Sequence, residues 1–104
     1  ARHWMSYVSL HAVRLAAEKA KTLDAVAMAH ALEDMELPPE VALSPNKTRY
    51  RKGDHQLMSD LFVGEMHPPG PGGGDDLFKV GEAVTGEKAA GSAESTGCKV
   101  TWPS

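Results

Sequence analysis

The sequence contains one cysteine, Cys98, so no disulfide can close within these 104 residues. An odd cysteine in an exported protein suggests a partner thiol elsewhere. Neither a paired-cysteine spacing nor an H-E-x-x-H run is present, which removes the usual zinc frameworks. The five histidines, His3, His11, His30, His55 and His67, read as scattered. His3 and His11 lie about two helical turns apart, too far to share one ion. No metal or cofactor is expected. No apolar run approaches the ~20 residues of a membrane span. The opening Ala1-Arg2-His3-Trp4 lacks the apolar stretch and cleavage site of a signal peptide. Positive charge is also in short supply: eleven Lys and Arg stand against fourteen Asp and Glu, for a net charge of -3. The one cationic cluster is Lys47, Arg49, Arg51 and Lys52. Its alternation with polar residues reads as the wet face of a strand. Neutralising phosphates needs clustered charge, so nucleic acid is not an expected partner.

The apolar residues that are present are unevenly placed. Most lie before Leu37 and between Leu57 and Val84, and the last twenty residues are small and polar. In the first stretch Trp4, Tyr7, Val8, His11, Ala12 and Leu15 recur at three and four, which predicts an amphipathic helix over 3–21. No capping residue stands ahead of this helix, as though the chain were cut from a longer one. Thr22 or Asp24 can cap a second helix over 24–34, with Val26, Ala27, Ala31 and Leu32 as its apolar face. Pro38-Pro39 ends it, and the short connection favours a helical hairpin.

Residues 37–47 then read as a loop and Thr48 to Lys52 as a strand. Gly53-Asp54 marks a turn, and Gln56 to Met66 reads as a second strand in hairpin with the first. The run His67-Pro68-Pro69-Gly70-Pro71-Gly72-Gly73-Gly74 is an open loop. It lacks the Lys-Ser/Thr that would make it a phosphate cradle. Asp76 to Val84 holds a short strand, Leu77-Phe78-Lys79-Val80, and residues 85–104 read as irregular. The fold class is α/β, in three segments: a helical hairpin at 1–36, strands at 37–84 and a tail at 85–104.

Asp54-His55-Gln56 is the one constellation that suggests acid–base chemistry, since a carboxylate can orient an imidazole. No nucleophile in a recognisable setting accompanies it. The plainer reading is a turn in which Asp54 caps backbone N–H groups and His55 makes a structural hydrogen bond. An enzyme is therefore not expected. Trp4, Tyr7, Tyr50, Phe62 and Phe78 read as core anchors. Trp102 either pins the tail to a neighbouring unit or stands exposed.

Taken in order, these residues resemble a known family. The sequence shows an alanine-rich helix bearing a Trp, then Thr22-Leu23-Asp24 opening a second helix that ends in Ala31-Leu32-Glu33. Next come Arg51 to Gln56, a strand ending Val63-Gly64-Glu65, Asp76-Leu77-Phe78-Lys79-Val80 and a late Gly97-Cys98. This order is similar to the C-terminal portion of periplasmic solute-binding proteins of ABC importers, of the leucine/isoleucine/valine-binding type. The resemblance covers nearly the whole chain, although the glycine-rich loop at 70–74 is longer than the pattern leads one to expect.

The resemblance implies a type I periplasmic binding fold, with two α/β lobes joined by a hinge and solute trapped between them. The helical hairpin would pack on one lobe and the 37–84 segment would cross the hinge. The expected partners are the remainder of the solute-binding protein and, through it, a small solute and the membrane permease. Members of the family take branched-chain amino acids, amides, urea or aromatic acids. The main solute contacts lie outside these residues, so no ligand-binding residue is assigned and the chain alone is not expected to bind. The implied location is the periplasm, and Cys98 is expected to pair with a cysteine upstream of the present residues. A different expectation, drawn from the strands alone, is a small self-associating module. An isolated hairpin is marginal in water, and its open edges invite a second copy.

Overall fold

A computed structural model describes residues 2–70 and 77–103. Pro71 to Gly74 and Asp76, read above as loop and as the start of a strand, lie outside the described residues. Helix α1 runs Arg2–Ala20 and buries Val8, Ala12 and Ala16 along one stripe. The four-residue spacing puts these side chains on successive turns of one face. Helix α2, Ala25–Leu32, is capped by Asp24, whose Oδ2 accepts from the Ala27 N–H at 2.9 Å. Thr22 serves one step earlier, its hydroxyl accepting from the Asp24 N–H at 3.1 Å. The two helices pack together, and Lys19 Nζ donates to the Ala31 carbonyl at 2.8 Å. That bond satisfies a carbonyl in the last turn of α2, where a cation is favoured.

The prolines do not end α2, which stops at Leu32 where Glu33 turns extended (ψ 121°) and Asp34 goes left-handed (φ 54°). Pro39 opens a third short helix, α3 (Pro39–Ala42), inside the segment read from sequence as a loop. Proline's fixed φ suits the first helical position, where its missing N–H costs nothing. Trp4 Nε1 donates to the Ala42 carbonyl at 2.9 Å, and the Tyr7 hydroxyl donates to the Glu40 carbonyl at 3.1 Å. These two bonds dock α3 on the first turns of α1. Around the contact lies the core: Val8, Ala12, Leu37, Val41 and Ala42, with Trp4, Leu15, Leu32, Met35, Tyr50 and Leu57 against it.

The first strand, β1, is only Arg49–Tyr50, and it pairs antiparallel with β2, Leu57–Met58. On its other side the segment after α2 joins through Asp34 N to Tyr50 O and Leu37 N to Thr48 O, both 2.8 Å. The single strand expected over 56–66 is two strands. Ser59-Asp60 interrupts it, and β3 (Leu61–Met66) pairs instead with β4 (Phe78–Val84). The interruption has a polar cause. Asp60 is buried and accepts from the Ser44 hydroxyl at 2.5 Å, the Asn46 backbone N–H at 3.1 Å and the Asn46 amide at 3.1 Å. These donors draw Asp60 towards the 44–46 loop at the point where the strand breaks. Among the described residues there are two separate two-stranded antiparallel sheets in place of one short sheet.

The tail is more ordered than its composition suggests. It carries helix α4, Gly86–Ala90, and a 3-10 turn, Glu94–Thr96. Gly86 is buried against β2, and a Cβ there would lie 2.7 Å from Ser59 N and 2.9 Å from Met58 C. Only glycine lets α4 come this close. The tail then passes the 51–56 turn, where a Cβ on Gly53 would meet the Ala93 methyl at 2.7 Å.

The β3–β4 ribbon stands apart from this packed base. Leu61, Phe62, Val63, Met66 and Val80 on it are each half or more exposed. Phe62, read from sequence as a core anchor, is one of them. The dimensions match: the molecule measures 61 × 30 × 18 Å, with a radius of gyration of 16.9 Å. A compact domain of this length would have about 13 Å.

Candidate functional site

The turn singled out by sequence, Asp54-His55-Gln56, sits at the centre of the richest cluster of polar side chains. Arg51 grips Asp54 with two parallel bonds, Nε to Oδ1 at 3.0 Å and Nη2 to Oδ2 at 2.5 Å. Its remaining arm donates to the Gly91 carbonyl at 2.6 Å, which ties the tail to the turn. Asp54 Oδ1 also accepts from the Gln56 N–H at 3.2 Å. Across the turn, Arg51 N donates to Gln56 O at 2.9 Å and His55 N donates to Arg51 O at 2.8 Å. His55 is left-handed, with φ 58°. The Arg51 guanidinium holds the Asp54 carboxyl below the usual carboxylate range, against burial, and Asp54 in turn raises Arg51.

Both oxygens of Asp54 are committed to Arg51, so they do not orient the neighbouring imidazole. His55 turns instead to the end of α2, where its Nε2 meets Glu33 Oε1 at 3.1 Å. Glu33 Oε2 lies 3.6 Å from His30 Nδ1 and 3.6 Å from Lys52 Nζ. Only 10 % of the Glu33 side chain is exposed. The hydrogen bond from His55 lowers the Glu33 carboxyl, burial opposes, and Lys52 and His30 add to the lowering. Above the group lies the indole of Trp102, stacked on His30 with centroids 3.6 Å apart and tilted 28°. The same indole is 5.3 Å from the His55 ring.

Sequence reasoning named His55 and missed the rest of this cluster. His30 and His55 were read as scattered, yet Glu33 and Trp102 bring them to one place. Trp102 pins the tail to its own chain, on α2 and the turn. No short motif encodes this, because its members come from three segments. The order of residues 30–33 held part of the signal: a His and a Glu three apart at a helix end share a face.

The remaining candidates are quickly placed. Cys98 is exposed and free, with its backbone N–H on the Thr96 hydroxyl. The arginines read as a wet strand face are engaged: Arg49 pairs with Asp34 at 2.6 Å and Glu87 at 3.3 Å, and only 13 % of the Arg51 side chain is exposed. His67 Nδ1 contacts the Pro68 carbonyl, and the His11 ring tilts against Tyr7. A cleft of about 430 Å³ lies between Trp4, Met5, Leu43, Asp60, Leu61 and Phe62, where the base meets the ribbon. Among the described residues no group of His, Cys, Asp and Glu is placed to hold a metal ion, and no helix is long and apolar enough to cross a membrane. Comparison with protein-family models, with curated proteins and with solved structures returns no match.

Proposed function

We propose that the chain is the C-terminal part of a solute-binding protein of an ABC importer, serving branched-chain amino acids or related small solutes. The observation that carries this reading is the β3–β4 ribbon. It holds Leu61, Phe62 and Val63 in an unbroken apolar run, and all three are exposed. A strand built this way is apolar on both faces, the pattern of a strand covered on both sides. The ribbon lacks such cover within the described residues. A two-lobed parent supplies it, with the ribbon joining a larger sheet beside the hinge. The ordered sequence pattern, from the Trp-bearing helix to Gly97-Cys98, is what gives the parent its family.

On this reading the base is a packing unit of one lobe and performs no catalytic step. Solute would favour the closed arrangement of the parent by touching both lobes, and the permease would respond to that closure. The parent is exported to the periplasm, and Cys98 pairs with a thiol of the missing part. The direct test is calorimetric titration of the purified 104-residue chain with leucine, valine and related amides. No micromolar binding is the expected result, and clear micromolar binding would refute the claim that the pocket lies elsewhere.

The same exposed ribbon favours one other reading, a small module that covers its strand edges with a second copy. Sedimentation across a concentration series separates the two. A dimer with one cooperative melt supports the module, and a chain that stays monomeric supports the larger parent.

A further inference from the structure

We propose that the C-terminal tail is fastened to the base by a proton-dependent clasp, in which His30 and His55 grip the indole of Trp102 and share the carboxylate of Glu33. The inference does not depend on solute binding or on the identity of a parent.

The geometry comes first. Trp102 is half-buried and lies against both imidazoles, face on to His30 and tilted to His55. Behind the rings both histidines point a nitrogen at Glu33, at 3.1 Å from His55 and 3.6 Å from His30. An imidazole that gains a proton becomes a cation, and a cation over an indole face is attracted by the ring quadrupole. The same proton makes its hydrogen bond to Glu33 charge-assisted and roughly twice as strong. Both effects act on one pair of rings, so protonation draws the indole and the carboxylate to opposite sides of the same imidazoles.

Other charged groups stand close to the rings. Lys52 already faces Glu33 at 3.6 Å, but its side chain is 68 % exposed and well solvated. Arg51 and Asp54, next to His55 in the turn, are paired with each other. Lys19, reaching the end of α2 from α1, is held by the Ala31 carbonyl. No uncompensated carboxylate other than Glu33 faces the rings among the described residues. The clasp tightens as the imidazoles take up a proton. It loosens again once Glu33 is protonated, and because Glu33 is held below its ordinary value that second step falls at still lower pH.

NMR of the two indole N–H groups in the full chain tests this, with Trp102 told from Trp4 by Trp102→Phe. The expected result is a movement of the Trp102 signal between about pH 8 and about pH 5.5, away from its position in the urea-unfolded chain. His30→Gln and His55→Asn should each remove part of that movement, and Glu33→Gln most of it. Asparagine tolerates the left-handed backbone at residue 55. Should one variant lose its helical circular dichroism, the others still decide the question. A Trp102 signal that stays constant over this range, that titrates unchanged in the histidine and Glu33 variants, or that sits at its unfolded position at every pH overturns the clasp.

Discussion

The base and the ribbon are made of similar residues and behave oppositely. In the base, Val8, Leu37, Val41 and Met58 are almost wholly buried, and alanines let the helices approach closely. Its loops are tied by side chains: Trp4 and Tyr7 on α3, Asp60 on residues 44–46, Arg51 on Asp54 and Gly91. In the ribbon, Leu61, Phe62, Val63, Met66 and Val80 stand in solvent. Its register is held by the backbone ladder and by a bulge at Val63/Gly64, where a Cβ on Gly64 would lie only 2.1 Å from the Lys79 carbonyl. Local packing accounts for the base. For the ribbon it accounts for the strand pairing and not for the choice of side chains, which answers to something that covers them.

The contrast can be broken by substitution. Met58→Ala removes a fully buried side chain beneath α4 and should cost about 3 kcal/mol in urea unfolding. Asp60→Ala should cost about 2 kcal/mol, since it leaves the Ser44 and Asn46 donors with no acceptor. Phe62→Ser on the ribbon should shift the same transition by no more than about 0.5 kcal/mol while lowering aggregation. In a longer parent that order changes, and Phe62→Ser should there approach the cost of Met58→Ala. A large loss from Phe62→Ser in the isolated 104-residue chain would mean the ribbon is packed within it after all.

Acid provides a milder probe of the base. For Asp60, burial pushes the carboxyl up, but the Ser44 hydroxyl and the two Asn46 donors outweigh it, and the net shift is downward. Asp54 and Glu33 are lowered by Arg51 and by His55 respectively. Groups lowered on folding stabilise the protein above their unfolded values, about 4. That contribution is lost as pH falls through the lower folded values. The base should therefore hold near neutral pH and weaken below about pH 4, and Asp60→Asn should flatten part of that decline in a circular-dichroism titration.

What could be read in the sequence divides along the same line. Helix α1 was legible because Val8, Ala12 and Leu15 follow one stripe, and α2 because Asp24 is a strong cap. The 51–56 turn was legible from Gly53-Asp54. The break at Ser59-Asp60 was not, because the apolar pattern runs on through Leu57, Met58, Leu61 and Phe62, and only the donors of Ser44 and Asn46 draw Asp60 inward. The short helix at Pro39 was hidden because Pro38-Pro39 reads as a helix stop, whereas α2 ends earlier, at Leu32, and Pro39 starts a helix. The cluster of His30, Glu33, His55 and Trp102 was invisible for a third reason. Its members meet only when the tail folds back over the turn, through Arg51 to Gly91 and the approach of Ala93 to Gly53.

Intact mass of the protein in its native source tests the central claim most directly. The account predicts a species of roughly three to four times the mass of this chain, the size of a two-lobed binding protein, whose added residues cover the β3–β4 ribbon. A native species with the mass of these 104 residues would contradict it, and the exposed ribbon would then belong to an interface between copies.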